Sequence, residues 1–414
     1  MAYAFTLDDV VFLASDAGRD AVAGAAPLVS ADRLRAVQTL RARLGERAAP
    51  VLETALLQDR ARGRVPDGWL LTADAAEQAT AAPVAAHRAA RLAGRDVHDV
   101  TCSVGAELHA LSGVARRVVG SDLDPVRLAM ARVNVPGVPL VRADALAPPS
   151  RDTVLVADPA RRTAAGRRTW RPADFAPPLD QLAATVLGDR STDTDTGCQR
   201  RHFADTASHD LVVSTAPGLD PALVPWAAEV ELVSLDGRVR EAALWSAGLA
   251  TTRRRATVVS SRGAGFAVTD AEDDDCPVAP AGAWIVDPDG AVVRAGLVRQ
   301  YGARHGLWRL DEHLAYLSGD APPPGVRAFR VLEHGRYSEK TLRTTLRRRD
   351  VGRLEILVRG LDVDPNALRP RLRLAGSQEA TVVLARLASG PAAYVCEAVW
   401  DGGGDRVSAT SDRT

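Results

Sequence analysis

Apolar positions fall into two regimes along the chain. Through the first ninety residues they recur at helical spacing, as at Leu34, Val37, Leu40 and Leu44, which predicts amphipathic helices, with Pro50 closing that segment. Asp74 followed by Glu77 reads as a capping box, and Pro83 suits the start of a helix running through His87 and Arg91. From Val97 the pattern changes to short apolar runs separated by helical stretches. That predicts a parallel sheet wound with helical crossovers, with strands at Val97–Thr101, Val118–Ser121, Leu140–Arg142, Val154–Ala157, Leu211–Thr215, Val230–Ser234 and Thr257–Ser260.

The polar segments punctuate this order. Gly188–Asp210, rich in Asp, Thr and Ser, reads as a surface excursion. Arg262–Gly282 carries Gly, Pro and the acidic run Glu272-Asp273-Asp274-Asp275 without apolar periodicity, and reads as an interdomain linker. Beyond it, Trp284-Ile285-Val286 and Val292-Val293 bracket Asp287-Pro288-Asp289-Gly290, a turn sequence between two strands. The expected organisation is an N-terminal helical region (1–87), an α/β sheet domain (88–262), a linker (263–282), a smaller α+β domain (283–400) and a disordered polar tail (401–414).

Composition narrows the functional classes. With 414 residues the chain is long enough for two or three cores, and 46% hydrophobic with 25% charged residues fits a globular protein. No apolar run approaches the length of a membrane span, and the first residues lack the basic start and apolar stretch of a secretory signal, so a cytoplasmic location is expected. Cys102, Cys198, Cys276 and Cys396 are widely spaced, and the eight His form no triad or metal pattern; neither a disulfide framework nor a metal site is expected. The net charge of zero conceals a gradient: Arg294 to Arg373 holds 17 Lys/Arg against 9 Asp/Glu. Such a locally basic module seeks polyanions.

The candidate chemistry sits at the strand ends. Val97-His98-Asp99-Val100-Thr101-Cys102-Ser103-Val104-Gly105-Ala106-Glu107 runs from an apolar strand through small residues into a helix, which lets backbone approach a ligand. The second strand ends at Asp122, 23 residues after Asp99, near the spacing at which a carboxylate meets ribose hydroxyls; Asp124 and Pro125 then read as helix cap and first helical residue. Arg142-Ala143-Asp144 and Val156-Ala157-Asp158-Pro159 supply two more acidic strand ends, Asp144 suited to accept from an adenine amino group. A single Asp at a strand end is more often a cap than a ligand, but an ordered series of four favours a site.

These residues resemble the class I S-adenosylmethionine (SAM)-dependent methyltransferases over roughly Arg88 to Ser261. More narrowly, the chain resembles the bacterial group of RNA methyltransferases that carry a C-terminal THUMP-like domain. The similarity includes Leu71-Thr72-Ala73-Asp74 through Thr80, His87-Arg88-Ala89, Asp122-Leu123-Asp124-Pro125 and Asp158-Pro159-Ala160-Arg161-Arg162. It continues with Ala216-Pro217-Gly218-Leu219, Ser234-Leu235-Asp236-Gly237, Glu241 to Trp245, Gly319-Asp320, Tyr337-Ser338-Glu339-Lys340, Gly352 to Ile356 and Arg359-Gly360-Leu361-Asp362-Val363-Asp364.

The resemblance implies a doubly wound, seven-stranded Rossmann-like sheet, SAM as cofactor and RNA as partner. It places Asp99, Thr101, Ser103 and Gly105 along the methionine side of SAM, Asp122 with Leu123 at the ribose, and Asp144 near adenine. Asp158 and Pro159 take the place of an acidic-Pro motif that presents a substrate nitrogen. Thr101 and Ser103 occupy the first two places of a loop that is often three-glycine, where a Cβ restricts positive φ. Arg161 and Arg162 beside the acidic-Pro motif, and Arg347 and Arg348 on a helix starting near Ser338, are candidates for RNA phosphates. Cys102 reads as a small buried side chain rather than a nucleophile. Two other readings use the same residues: an RNA-binding module on a decayed scaffold, and a small-molecule or protein methyltransferase.

Overall fold

A computed structural model describes residues 3–31, 33–161, 169, 171–188, 209–261 and 264–400. It divides into two units, Met1–Phe266 and Ala267–Thr414. The predicted surface excursion falls almost wholly at 189–208 and the predicted tail at 401–414, both outside the described residues.

The N-terminal stretch is helical: α1 (Leu7–Ala14), α2 (Asp16–Ala31), α3 (Arg33–Leu44), α4 (Ala48–Ala61), α5 (Ala73–Gln78) and α6 (Ala82–Arg91). Two local expectations shift. Pro50 does not close α3 but sits in the first turn of α4, where its missing N–H leaves no helical bond unmade. The cap of α5 is Thr72, whose hydroxyl accepts from Ala75 N, and Asp74 lies in the first helical turn. Helix α6 starts with Pro83 at its beginning, as the sequence predicts.

The boundary expected near residue 87 does not separate two cores. Val10, Leu13, Leu40, Val51, Leu57, Trp69 and Leu71 pack with Cys102, Leu108, Leu128, Met130 and Val135 in one buried cluster. Asn134 stitches the two parts together. Its side chain accepts from Leu70 N (2.9 Å) and donates to Leu70 O and Val104 O (both 2.9 Å), all within a buried site.

The sheet follows as β1 (Asp96–Asp99), α7 (Ala106–Ser112), β2 (Arg117–Asp122), α8 (Pro125–Asn134), β3 (Leu140–Arg142), β4 (Val154–Ala157), α9 (Leu179–Leu187), β5 (Asp210–Thr215), β6 (Glu229–Leu235), β7 (Arg238–Trp245) and β8 (Arg254–Val259). Across these strands the order is β3-β2-β1-β4-β5-β7-β6-β8. Strands β1 to β5 pair in parallel, whereas β7 is antiparallel to both β5 and β6. Alternate residues bury on opposite faces. Leu155, Ala157, Leu211, Val213 and Leu244 pack with α9 and Phe175, while Val154, Val156, Val212, Ala243 and Trp245 pack with Ala89, Leu92 and Leu111. Covering both faces demands a doubly wound sheet. Strand β7 was not among the predicted strands; its polar start, Arg238-Val239-Arg240-Glu241, breaks the apolar run that marks the others.

The second unit has its own sheet, in the order Trp308–Arg309, Leu317–Gly319, Trp284–Val286, Arg327–Arg336, Gly390–Trp400, Gln378–Leu387, Val351–Arg359. Helices Glu339–Arg348 and Pro365–Leu372 bury Leu342, Leu346, Leu368 and Leu372 against it. Two sequence readings need correction here. Val292-Val293 is not a strand but part of the helix Gly290–Arg294, capped by Asp289, whose carboxylate accepts from Ala291 N (2.7 Å). Residues 267–282 are not a free linker: Cys276 is buried, Glu272 pairs with Arg304, and Asp274 pairs with Arg299 (3.3 Å). The acidic run neutralises part of the basic excess.

Asn134→Ala leaves three buried backbone groups without partners and is expected to destabilise the protein by about 3 kcal/mol. A lowered urea midpoint at unchanged slope would register it.

Candidate functional site

The strand order reverses between β1 and β4, whose flanking helices leave in opposite directions and open a crevice beyond the carboxyl ends of the strands. A cleft of about 720 Å³ lies there, a size suited to a nucleoside-sized ligand. Its lining runs from Arg64 to Glu241 and brings together Asp99, Thr101, Ser103, Asp122, Leu123, Asp144, Asp158, Pro159 and Arg161.

The loop after β1 is shaped by its hydrogen bonds. Asp99, 3% exposed, accepts from Thr101 N (3.1 Å); burial, reinforced by the charge of Glu107, pushes its carboxyl well above the usual carboxylate range. Ser103 adopts φ +48° despite its Cβ, and its N–H donates to Asp122 Oδ2 (3.0 Å). The left-handed backbone costs about 1–2 kcal/mol, and a hydrogen bond to a carboxylate is worth about 1.5–3 kcal/mol, so the bond can hold the serine there. Gly105 is the exception among the predicted lining residues. It is buried at φ +96°, and a Cβ there would meet Val135 Cγ2 at 3.0 Å, so it shapes the turn into α7 while Val104 and Ala106 face the cleft. Cys102 is 3% exposed and burial drives its thiol far up, which leaves it inert as a nucleophile.

Asp122, half-buried at the end of β2, accepts from Ser103 N through one oxygen and Asp124 N (2.9 Å) through the other. A carboxylate has about four acceptor positions, so two remain. Leu123 beside it is 58% exposed, an apolar face turned to the cleft. Asp124 caps α8 as the sequence predicts. Asp144 is exposed and accepts from Leu146 N (2.9 Å).

Asp158 follows β4. Its N–H donates to Thr101 Oγ1 (2.7 Å), and the Asp158-Pro159-Ala160 loop is tied to Ala176 by paired backbone bonds from Ala160 (2.9 and 3.0 Å). The side chain is open to the cleft yet enclosed by protein on its other sides, and that enclosure raises its carboxyl to about 6 against the pull of Arg88 and Arg161.

The sequence reading placed Arg88 and Glu241 in segments of the family resemblance and Glu107 in the loop after β1 but gave none of them a role beside Asp158. Arg88 of α6, 2% exposed, donates to Glu107 through two bonds (2.8 and 2.7 Å) and pairs with Glu241. Burial opposes its charge, but Glu107 and Glu241 hold it protonated. Glu241 accepts also from Ser214 Oγ (3.2 Å), and burial lifts its carboxyl to about 7 despite Arg88. One sequence signal existed: Arg88 shares its helix face with the apolar Val84, Ala85 and Ala89. Three residues on, Arg91 binds the fully buried Glu229 and Glu231 and lies over Trp245 (3.6 Å), with His87 on Glu231 (2.7 Å).

Of the predicted RNA-contacting residues, Arg161 lines the cleft and Arg162 lies outside the described residues. Arg347 and Arg348 belong to the second unit and are exposed, Arg348 pairing with Glu333 (2.5 Å). Among the described residues no group of His, Cys, Asp and Glu is placed to hold a metal ion, and no helix is long and apolar enough to cross a membrane.

Comparison with known proteins adds three findings. A THUMP domain-like family matches residues 326–398. The chain is 50% identical over 378 residues to an uncharacterized S-adenosylmethionine-dependent methyltransferase of Mycobacterium tuberculosis, found in two strains, covering 86% of this chain and 99% of that protein. Among solved structures, a Porphyromonas gingivalis protein described as a methyltransferase superposes with a TM-score of 0.65 at 17% identity, over 85% of this chain and 90% of that one; at that identity it supports the fold alone.

Because folding raises the carboxyl of Glu241 from 4.5 to about 7, the folded state takes up a proton there, and stability falls as pH rises through that window. Glu241→Gln is expected to flatten this decline. Melting temperatures of variant and wild type at about pH 5 and about pH 8 test it; an unchanged difference between the two pH values would count against the assignment.

Proposed function

The chain belongs to the S-adenosylmethionine-dependent methyltransferases, and we propose that within that family it methylates a nitrogen of an RNA base. The observation that carries the reading is the placement of Asp158, a carboxylate open to the cleft and fixed through its backbone to the loop that follows β1.

The cleft fits the cofactor. Asp122 keeps two acceptor positions free for a vicinal diol, Leu123 offers an exposed apolar face, and the Ser103–Gly105 turn gives close backbone approach. We assign Asp122 and Leu123 to the ribose, Asp144 to the adenine, and Asp99, Thr101 and Ser103 to the methionine side, with Gly105 acting through backbone conformation. When bound, SAM supplies an electrophilic methyl group on a sulfonium.

The protein's part is alignment and charge stabilisation, since such a displacement needs little covalent help. Asp158 accepts a hydrogen bond from an amine N–H, which turns the nitrogen lone pair into line and offers a place for the proton released. A carboxyl raised to about 6 is a better proton acceptor near neutral pH than an ordinary aspartate, and it is still ionised there. Pro159, buried, stiffens the loop. Arg88 and Glu107 fix the floor on which Asp158 rests.

RNA as the acceptor is supported by the THUMP-like match and by the local basic excess, including the exposed Arg347. In this reading residues up to 266 hold cofactor and acceptor base, the second unit binds the RNA, and Arg161 and Arg162 meet phosphates near the base.

Transfer of tritiated methyl from SAM into RNA extracted from cells lacking this protein tests the acceptor class; label confined to small molecules or protein would refute it. Asp158→Ala is expected to abolish transfer while SAM still binds by calorimetry, and Asp122→Ala to weaken SAM about a hundredfold or more, the loss of two hydrogen bonds to a carboxylate. Equal SAM loss in both variants would overturn the division of roles. Since protonated Asp158 is a weaker acceptor for the amine and cannot take the proton released, the rate is expected to fall as pH drops through about 6. A rate flat across that range would exclude Asp158 as acceptor.

A further inference from the structure

Strand β7 carries an irregularity at the cleft. In its pairing with β6, Glu241 stands opposite Val233 and Val239 opposite Ser234, so Arg240 is the extra residue of a β-bulge. A bulge bends its strand and re-aims the side chain it carries, and such bends recur beside active sites. On the other flank β5 ends at Thr215, opposite Ala242, which leaves Arg240 beyond the end of β5. Its side chain is exposed and lines the cleft.

The surroundings set Arg240 apart from an ordinary solvated arginine. It stands in a cleft lined by carboxylates, yet its side chain has no ion pair or hydrogen bond among the described residues. Other arginines of the lining are committed. Arg64 donates to the carbonyls of Arg60 (2.8 Å) and Glu77 (3.3 Å), Arg127 pairs with Asp74 (3.4 Å) and Asp124 (3.6 Å), and Arg88 is held by Glu107 and Glu241.

The position says which ligand. Across the sheet, the residues assigned to adenine, ribose and methionine follow β3, β2 and β1, so the acceptor lies over β4 and β5, with Arg240 of β7 on its far side. Asp158 is one residue beyond the Ala157–Val213 pair, level with Ser214, and Ser214 stands opposite Ala243. Arg240 is three residues past Ala243. Two strand spacings of about 4.8 Å and three rises of about 3.3 Å put the backbones of Asp158 and Arg240 roughly 14 Å apart. Once both side chains reach inward, that separation suits a nucleotide with its base amine at one end and its phosphate at the other.

We propose that Arg240 binds the phosphate of the acceptor nucleotide, its guanidinium fork donating to phosphate oxygens while Asp158 receives the base amine. The planar fork matches phosphate geometry and stays charged at any working pH. The contact carries no information on the identity of the base; it sets how deeply the nucleotide enters and favours acceptors with an anion at that distance over uncharged amines. This inference rests on the RNA-base reading given above and adds the residue that holds the acceptor's backbone.

The test uses the full chain as Arg240→Gln, which removes the charge, and Arg240→Lys, which keeps the charge and loses the fork. With tritiated SAM and RNA from cells lacking the protein, Arg240→Gln is expected to raise KM for RNA about tenfold, the low end for a hydrogen bond to a charged group, with kcat within about threefold of wild type and SAM binding unchanged. The slope of log kcat/KM against log salt is expected to become shallower by about one in Arg240→Gln and to hold in Arg240→Lys. A KM and salt slope like those of wild type overturn the proposal. So does an Arg240→Gln protein that loses SAM binding or kcat in place of KM, because the side chain would then serve the cofactor or the chemistry. If the wild type labels no RNA, the acceptor class fails first, and the contact is read separately. Adenosine and cytidine are then compared with their 5′-monophosphates by ligand-observed NMR in the presence of S-adenosylhomocysteine. Tighter binding of a monophosphate than of its nucleoside, lost in Arg240→Gln, supports the contact. No such advantage in wild type, or one that Arg240→Gln retains, overturns it.

Discussion

A single buried guanidinium makes the floor of the cleft tenable. Asp99, Glu107, Asp158 and Glu241 crowd one end of the sheet, and like charges at that density in a low-dielectric site repel strongly. Arg88 sits among them, bonded to Glu107 and Glu241 and close enough to Asp158 to oppose its rise. Burial is the larger cause of the raised carboxyls of Asp99, Asp158 and Glu241, and neighbouring carboxylates, Glu107 above all, add to it against the opposing charge of Arg88 on Asp158 and Glu241. A site built this way holds the carboxyl of Asp158 at about 6.

Helix α6 must therefore be held firmly, and the sheet does so with a second set of charges. Glu229 and Glu231 are fully buried, which is tolerable only because Arg91, Arg255, His87, Thr251 and Thr257 occupy their oxygens. Burial alone would raise Glu231, yet His87 and Arg91 bring it down to about 2. The two carboxylate groups on either side of α6 are thus tuned in opposite directions: one fully satisfied and structural, the other left in partial conflict at the cleft. The N-terminal helices do comparable work for the loop after β1, through Asn134 and the core shared with Cys102 and Leu108. In the second unit, pairing of Arg304, Arg327, Arg330 and Arg348 with acidic neighbours leaves fewer open cations than the sequence count suggests.

By itself the sequence determined the doubly wound class, the strand ends and the acidic residues that those ends bring to the cleft, because a parallel sheet buried on both faces writes its strands as apolar runs and places whatever follows each run at one edge. The Asp124 cap and the helix after Ser338 were legible for the same local reason. Strand β7 and the ordered segment at 267–282 were not, since their polar residues are satisfied by partners far along the chain. Only the tertiary structure decided that Arg88, Glu107 and Glu241 meet beneath Asp158 and that Ser103 accepts a left-handed backbone. Charge pairing and polar satisfaction depend on distances between residues remote in sequence, and no periodicity along the chain encodes them.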